Sequence, residues 1–455
     1  MSGHSLVSLR DLILESQNGL SKRSGTDGVE TPVLRLADIT AGAIDESDPR
    51  EIRLTAKELA KYALHPGDLV CIRVNGSKAL VGRVIQFRAN RVWAYCDHFI
   101  RLRPNQELVD HRYLAHYFNS QTVRRHIELN MVSSAGQNTV SQGTMLDIPV
   151  PCPAIETQRA IVAELEKQFS RLDEAVANLQ SVKANLKRYK ASVLKVAVEG
   201  RLVETEATLA RREGRTYETG EQLLQRILEE RRGKWAGKGK YKEPVVPVAP
   251  ELSGLPEGWA IASYSQLGDV TTGFTPPTGD AANFGGSTPF FKPTDLDAGD
   301  SVRVAREYLS EAGLQKGRKL PAGSVLVTCI GATIGKTGLA QIDCATNQQI
   351  NSVSPIDDCV DSRYLFWWTC SPAGQAQIVD NASATTLPIL NKSKFEALPV
   401  VLPPLAEQAR IVAEVDRHLS ILREVEAEVD ANLQRAQALR QSVLSKAFQA
   451  PQPNK

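Results

Sequence analysis

The sequence predicts an α/β chain of α+β character: two mixed α/β modules separated by two long helices that pair as an antiparallel coiled coil. Three observations carry that expectation. Residues 148–198 recur as residues 398–448 at an offset of 250 without a gap, and 16 of the 51 positions are identical. Such a long-period duplication is read before any local pattern. Both copies carry apolar residues at steps of three and four, which lays a stripe along one face of a helix. The stretches before each copy read instead as short strands with Gly and Asn turns, and they echo one another.

Taken in order, residues 1–150 form the first module. Strands are expected at 33–36, 68–74, 80–87 and 92–95, with helical pieces at 55–63 and 110–128. The first long helix, within 151–200, starts after Pro153 and has Glu156 where the positive helix terminus favours an acid. Ile161, Leu165, Phe169, Leu172, Val176 and Leu179 form its stripe, and Gly200 is a natural stop. About 45 residues at 1.5 Å each would make a rod of roughly 65 Å. So long a stripe needs a partner; the other copy is the nearest, and packing of each stripe on its own module is the alternative. Residues 201–255 form a connector with an amphipathic helix at 216–234. In it the run RRGKWAGKGKYK (231–242) holds six cations and no acid, followed by a proline-stiffened arm. The run is either a solvated linker or a contact to phosphates. Residues 256–400 form the second module. TPVLRLADITAG (31–42) returns as TPFFKPTDLDAG (288–299), LHPGDLV (64–70) as LPAGSVLV (320–327), and VDHRYL (109–114) as VDSRYL (360–365). Residues 401–450 hold the second long helix, with Pro403, Glu407, Gln408, Ile411, Val415, Leu419 and Leu422.

Composition narrows the class. The 455 residues are 42% hydrophobic and 23% charged with a net charge of +2, which describes a globular chain of roughly two to four domains without a global basic field. No apolar run approaches about 18 residues, so no membrane span is expected, and MSGHSLVSLRD lacks a signal-peptide core. The seven cysteines are scattered without a CxxC pair, which suits buried thiols in the cytoplasm. No HExxH or paired-histidine spacing announces a metal site.

One motif invites a catalytic reading. Gly331 to Thr337, GATIGKT, resembles a phosphate-binding loop, but three residues separate its glycines where four are needed, and a strand-like segment follows. A glycine-rich hairpin offering Lys336 and Thr337 to a phosphate backbone fits better, and Gly82-Arg83 has the same sense in the first module. Polar loops stand before both long helices, at 133–139 and 381–386, and Asn347-Gln348-Gln349 lies inside the second module. Asn and Gln can bond adenine, and Arg or Lys can bond guanine, in the major groove. The candidate DNA contacts are therefore Lys22, Arg23, Arg35, Lys78, Arg83, Gln137 and Asn138 in the first module, and Lys292, Thr333, Lys336, Thr337, Asn347, Gln348 and Thr385 in the second. No catalytic residue is expected.

The runs IPVPCPAIETQRAIVAELE and LPVVLPPLAEQARIVAEVD, each leading into a long helix, resemble the specificity subunit of type I restriction–modification systems. LPEGW (255–259), the GATIGKTG turn and TNQQI (346–350) add to the resemblance, which covers nearly the whole chain. It implies that each module is a target recognition domain reading half of a split, asymmetric site on double-stranded DNA. It also implies that the helices dock two methyltransferase (M) subunits. Gln158, Ile161, Leu165, Leu172, Gln408, Ile411, Val415 and Leu422 are the candidate docking or coiled-coil positions. Restriction (R) subunits would add motor and nuclease. S-adenosylmethionine would belong to the M subunits, and ATP and Mg to the R subunits, with no cofactor in this chain. A coiled-coil scaffold without DNA specificity and a nucleotide-binding enzyme remain the other readings.

Overall fold

A computed structural model describes residues 6–40, 43–89, 91–235, 237, 239–247, 254–356, 358–383 and 387–448. The chain divides into two compact units, Met1–Ser181 with Val429–Lys455, and Val182–Glu428. Each long helix, Ile155–Val198 and Leu405–Phe448, contributes one end to each unit.

The first unit is built on a four-stranded antiparallel sheet in the order Ile13–Asn18, Phe99–Pro104, Leu69–Ile72, Val84–Gln86. Leu69–Ile72 is buried on both faces, which explains its unbroken apolar run. One face packs Leu69, Cys71, Ile100 and Leu102 against Tyr113, Leu114 and Val162. The other packs Val70 and Ile72 against Leu34, Phe87, Trp93 and Tyr95. Arg101 lies inside: its Nη1 donates to the Ala63 carbonyl at 2.8 Å and the side chain pairs with Glu15, so the buried charge is compensated.

The second unit repeats the plan, in the order Gly268–Thr272, Ile350–Pro355, Val325–Thr328, Thr337–Leu339. Beside each four-stranded sheet lies a parallel pair, Ala94 opposite Val33 in one unit and Ala345 opposite Phe290 in the other. These pairs hold the TPVL and TPFF repeats. The first unit adds the three-stranded set Val132–Ser134, Gln137–Thr139 and Val74–Asn75.

Expected and observed elements differ where a turn or cap intervenes. The expected helix at 110–128 is two, His111–Phe118 and Gln121–Asn130, because Ser120 caps the second and accepts from the Val123 N–H. The expected strand at 80–87 shrinks to Val84–Gln86, because Leu80 to Arg83 turn sharply around Gly82 at φ 77°. The connector helix is Gly220–Gly233, and a further helix, Glu206–Glu213, precedes it. Neither is a free linker element. Leu223 and Ile227 are buried in the second unit's core, and Glu407 accepts from the Glu206 N–H at 2.8 Å and from the Trp259 indole N–H at 3.0 Å. Burial pushes the Glu407 carboxyl above its ordinary value, although both N–H donors oppose the shift.

The two long helices run antiparallel where each unit shows them together. In the first unit Leu165 and Phe169 pack against Leu444, and further along the first helix Asp173 meets Arg440 at 2.5 Å. Rising numbers on one helix meet falling numbers on the other. In the second unit Tyr189 reaches His418 with ring centroids 6.1 Å apart, while Val193 and Leu194 share a core with Ile411 and Val415. Gly200, at φ 68°, ends the first helix in the left-handed region as expected.

Candidate nucleic-acid interface

Each unit carries one candidate hairpin, and the two hairpins have the same backbone. In the first unit the Gly82 N–H donates to Ile72 O at 2.8 Å, and the Ile72 N–H donates to Arg83 O at 2.8 Å. In the second the Gly335 N–H donates to Thr328 O at 2.9 Å, and the Thr328 N–H donates to Lys336 O at 2.8 Å. Both glycines have positive φ, 77° and 85°, so glycine followed by a cation is one structural position used twice. The turn at Gly335 leads into a strand, Thr337–Leu339, not into a helix N-terminus that could cradle a phosphate. The two cations differ electrostatically. Lys336 pairs with Asp297 at 2.6 Å, whereas Arg83 bonds through Nε to the Ala79 carbonyl at 2.9 Å.

Several expected contacts are occupied within the chain. Lys22 pairs with Glu58 at 2.9 Å, and that ammonium with the Thr55 N–H holds the Glu58 carboxyl down to about 2. Arg23 pairs with Asp97 at 3.1 Å and Arg35 with Asp38 at 2.6 Å, while Lys292 pairs with Glu307. Lys78, Gln137 and Thr333 are exposed on turns or hairpins. Gln348 is exposed and accepts from the Thr275 hydroxyl.

Three placements correct the sequence reading. Asn138 is buried, with Nδ2 donating to Gly76 O at 2.9 Å and Oδ1 accepting from Ser133, so its amide fastens a hairpin. Thr337 is buried and donates to Gly335 O at 2.9 Å. Asn347 is buried and closes its own turn on Gln349, with Nδ2 donating to Oε1 at 2.9 Å and Oδ1 accepting from the Gln349 N–H at 3.2 Å. A buried side chain whose polar atoms bond inward is not placed to reach a base edge. Thr385 lies outside the described residues.

The repeated motifs VDHRYL and VDSRYL turn out to fasten each module to its long helix. The Asp110 N–H donates to Gln158 Oε1 at 2.9 Å, and Gln158 Nε2 donates to Pro153 O at 2.8 Å. The Asp361 N–H donates to Gln408 Oε1 at 2.9 Å, and Gln408 Nε2 donates to Pro403 O at 3.0 Å. Asp110 and Asp361 then cap the following helices, accepting from the Arg112 and Arg363 N–H groups at 2.8 Å. Burial raises the Asp110 pKa, but the Arg112 N–H and guanidinium outweigh it and leave the carboxyl below its ordinary value. The tyrosines Tyr113 and Tyr364 donate to Pro151 O and Val401 O at 2.7 and 2.8 Å. The arginines reach acids on the long helices, Arg112 to Glu166 at 3.6 Å and Arg363 to Asp416 at 2.7 Å.

Gln158 and Gln408, both fully buried, are therefore internal latches and not a surface for another chain. Ile411 and Val415 are likewise enclosed in the second unit's core, and Leu165 lies buried between helices in the first. Ile161 is half-buried there, and Leu172 and Leu422 keep partly exposed faces.

Three cations of the basic connector run are paired within the chain, while Lys240 and Lys242 are exposed. Arg231 pairs with Asp269 at 2.8 Å, Arg232 with Glu243 at 2.5 Å, and Lys234 with Glu230 at 3.0 Å. Cys96, Asp97 and His98 bring three ligand atoms within 4.8 Å of one another, a convergence the sequence reading missed. Arg23 already supplies a cation to Asp97 there. Burial pushes the Cys329 and Cys344 thiols up to about 12, which disfavours the thiolate. Among the described residues no helix is long and apolar enough to cross a membrane.

Two similar sheets, each latched to a long helix, define a class of duplicated α/β protein. The family described as type I restriction modification DNA specificity domain matches residues 5–184 and again residues 256–435, and the chain belongs to it. It is 34% identical over 207 residues to the type I restriction enzyme StySPI specificity subunit of Salmonella potsdam, covering 44% of this chain and 45% of that one. It is 26% identical over 238 residues to the EcoKI specificity subunit of Escherichia coli (strain K12), covering 52% and 50%. The chain thus spans about half the length of these relatives. A solved structure described as the structural basis of complex assembly and conformational transition of the type I R-M system superposes with a TM-score of 0.66. That match has 19% identity and covers 99% of this chain and 98% of the other, a likeness of fold.

Proposed function

We propose that this chain is the sequence-recognition subunit of a type I restriction–modification complex. Each module reads one half of a bipartite, asymmetric site on double-stranded DNA. Phosphate contacts position a module and groove contacts choose the sequence. The chain makes and breaks no bonds. Two M subunits, carrying S-adenosylmethionine, flip and methylate adenines at the site it selects, and R subunits, using ATP and Mg, cleave. The complex works in the cytoplasm.

The observation that carries this reading is the contrast within the repeat. The Gln latch, the Asp cap and the Tyr–carbonyl bond recur in both units. The loops and their charges do not: Lys336 is paired with Asp297, while the Ser133–Asn138 hairpin belongs to a three-stranded set of the first unit. A constant attachment with changed surfaces is what two half-sites of different sequence require. The partly exposed faces of Leu172 and Leu422 are the remaining docking positions on the long helices. Methylated-base sequencing of DNA from cells that carry the chain with its M partner tests the proposal. One split, asymmetric motif modified only when this chain is present is the expected result, and methylation indifferent to the chain refutes it.

A further inference from the structure

Three metal-ligating side chains follow one another on the turn between Tyr95 and Phe99 of the first unit. The backbone of that turn is held at each of them. Cys96 O accepts from the Phe99 N–H at 3.0 Å, Leu20 O from the Asp97 N–H at 3.0 Å, and His98 O from the Arg73 N–H at 2.7 Å. The Arg73 guanidinium adds a bond to Asp97 O at 3.1 Å. Cys96 is buried, and Asp97 and His98 are half-buried. His98 Nδ1 lies 3.6 Å from Cys96 Sγ and 3.4 Å from Asp97 Oδ1, and the three ligand atoms all fall within 4.8 Å of one another. Among the described residues no other group of three such ligands converges in this way.

Tetrahedral zinc, with bonds of about 2.3 Å to sulfur and about 2.0–2.2 Å to nitrogen and oxygen, sets S and N about 3.6 Å apart and N and O about 3.4 Å apart. Two edges of the cluster already have those lengths. The third, from Sγ to the carboxylate, needs only a small rotation of the half-buried Asp97 side chain. Arg23 bonds the same carboxylate at 3.1 Å, which does not exclude an ion. A carboxylate has lone pairs for both, and ligating carboxylates are commonly hydrogen-bonded from outside. The second unit shows how the same turn closes with other side chains. The Asn347 N–H donates to Phe291 O as the Cys96 N–H does to Leu34 O, and the Ile350 N–H closes on Asn347 O as Phe99 does on Cys96 O. There Asn347 Nδ2 clasps Gln349 Oε1 at 2.9 Å. A thiol is a weak donor and a weak acceptor, so Cys96 and His98 make a poor clasp by themselves. Joined to one ion they close the turn firmly. We infer that Cys96, Asp97 and His98 bind one zinc ion through Sγ, a carboxylate oxygen and Nδ1, with water as the fourth ligand. The thiol releases its proton to solvent as the ion binds. This site stands on the geometry of the first unit and does not depend on the proposed function.

The test is titration of the metal-stripped full chain with cobalt(II), whose absorption bands report tetrahedral geometry and thiolate ligation, followed by displacement with zinc. Binding of one cobalt per chain is expected, with a thiolate charge-transfer band that zinc abolishes. Zinc alone should raise the thermal midpoint, because it binds the folded turn. Cys96→Ser, nearly isosteric, should remove the charge-transfer band. His98→Gln, at a half-buried position, should weaken cobalt binding by about tenfold or more. Cys370→Ser should leave band and affinity as they were. Absence of stoichiometric cobalt binding, binding without the thiolate band, or a band that survives Cys96→Ser overturns the inference. Equal loss in Cys370→Ser overturns it too. Should Cys96→Ser fail to fold, His98→Gln decides, and an unchanged cobalt affinity there refutes the site.

Discussion

Gln158 shows how one side chain decides whether a module stays on its helix. Its amide is fully buried and satisfies the Asp110 N–H and the Pro153 carbonyl together. Gln158→Ala should therefore strand both groups and destabilise the protein by about 1–3 kcal/mol, read as a lower midpoint in urea. Gln168→Ala, at an exposed position of the same helix where the amide bonds only Glu164, should stay within about 0.5 kcal/mol. Equal effects would mean the latch carries no special weight. For the reading surface, Lys336→Ala should weaken DNA binding by about 1 kcal/mol or more, while Asn347→Ala should lower stability without changing sequence choice. Methylation at limiting protein, compared with urea midpoints, separates the two outcomes. The importance of Gln158 and Gln408 was legible in their repetition, but their role was not. The partners Asp110 and Asp361 lie 48 and 47 residues away, and spacing alone cannot tell a buried latch from an exposed contact. Asn138 misled for the same reason, since the carbonyl it binds at Gly76 is 62 residues distant.

At the level of elements, periodicity and glycines told most. The long helices, the stop at Gly200 and the paired hairpins were all legible, because stripes and positive-φ glycines are local signals. The helix Glu206–Glu213 was missed although Thr205 caps it and Gly214 ends it at φ 65°, a signature plain enough to read. The docking of the connector could not be read, because Glu407 lies 201 residues from the N–H it caps. The hairpins give an asymmetric prediction. A Cβ at Gly82 would sit 2.4 Å from Ile127 Cδ1 inside the core, whereas one at Gly335 would meet the tip of Gln375 at 2.6 Å. Both alanines would suffer the positive φ, at roughly 1–3 kcal/mol, but Gly82→Ala should cost more, since Gln375 can swing aside. Thermal melts of the two variants check the order. Phe169, packed against Leu444 and 4.4 Å beneath the Arg440 guanidinium, joins the long helices in the first unit. Phe169→Ala should cost about 3–5 kcal/mol, and a loss below 1 kcal/mol would show that this contact does not hold them.

For the whole molecule, the central claim is that two independent readers share one repeated frame. The fold class was legible because the duplication writes the frame twice: 16 of 51 positions are kept across the helices, while the modules keep only landmarks. Which candidate cations are already paired was not legible, because pairing with Asp297, Glu307 or Asp97 depends on contacts the linear order does not show. Lengthening both long helices by matching turns, at roughly 5.4 Å each, should widen the gap between half-sites and leave their sequences alone. The most direct measurement replaces residues 1–147 with the corresponding module of a relative and sequences the methylated bases in cells with the M partner. Independent readers predict that one half of the modified site changes while the other half and the spacing persist. If both halves change together, the modules form one composite surface and the two-reader account is wrong.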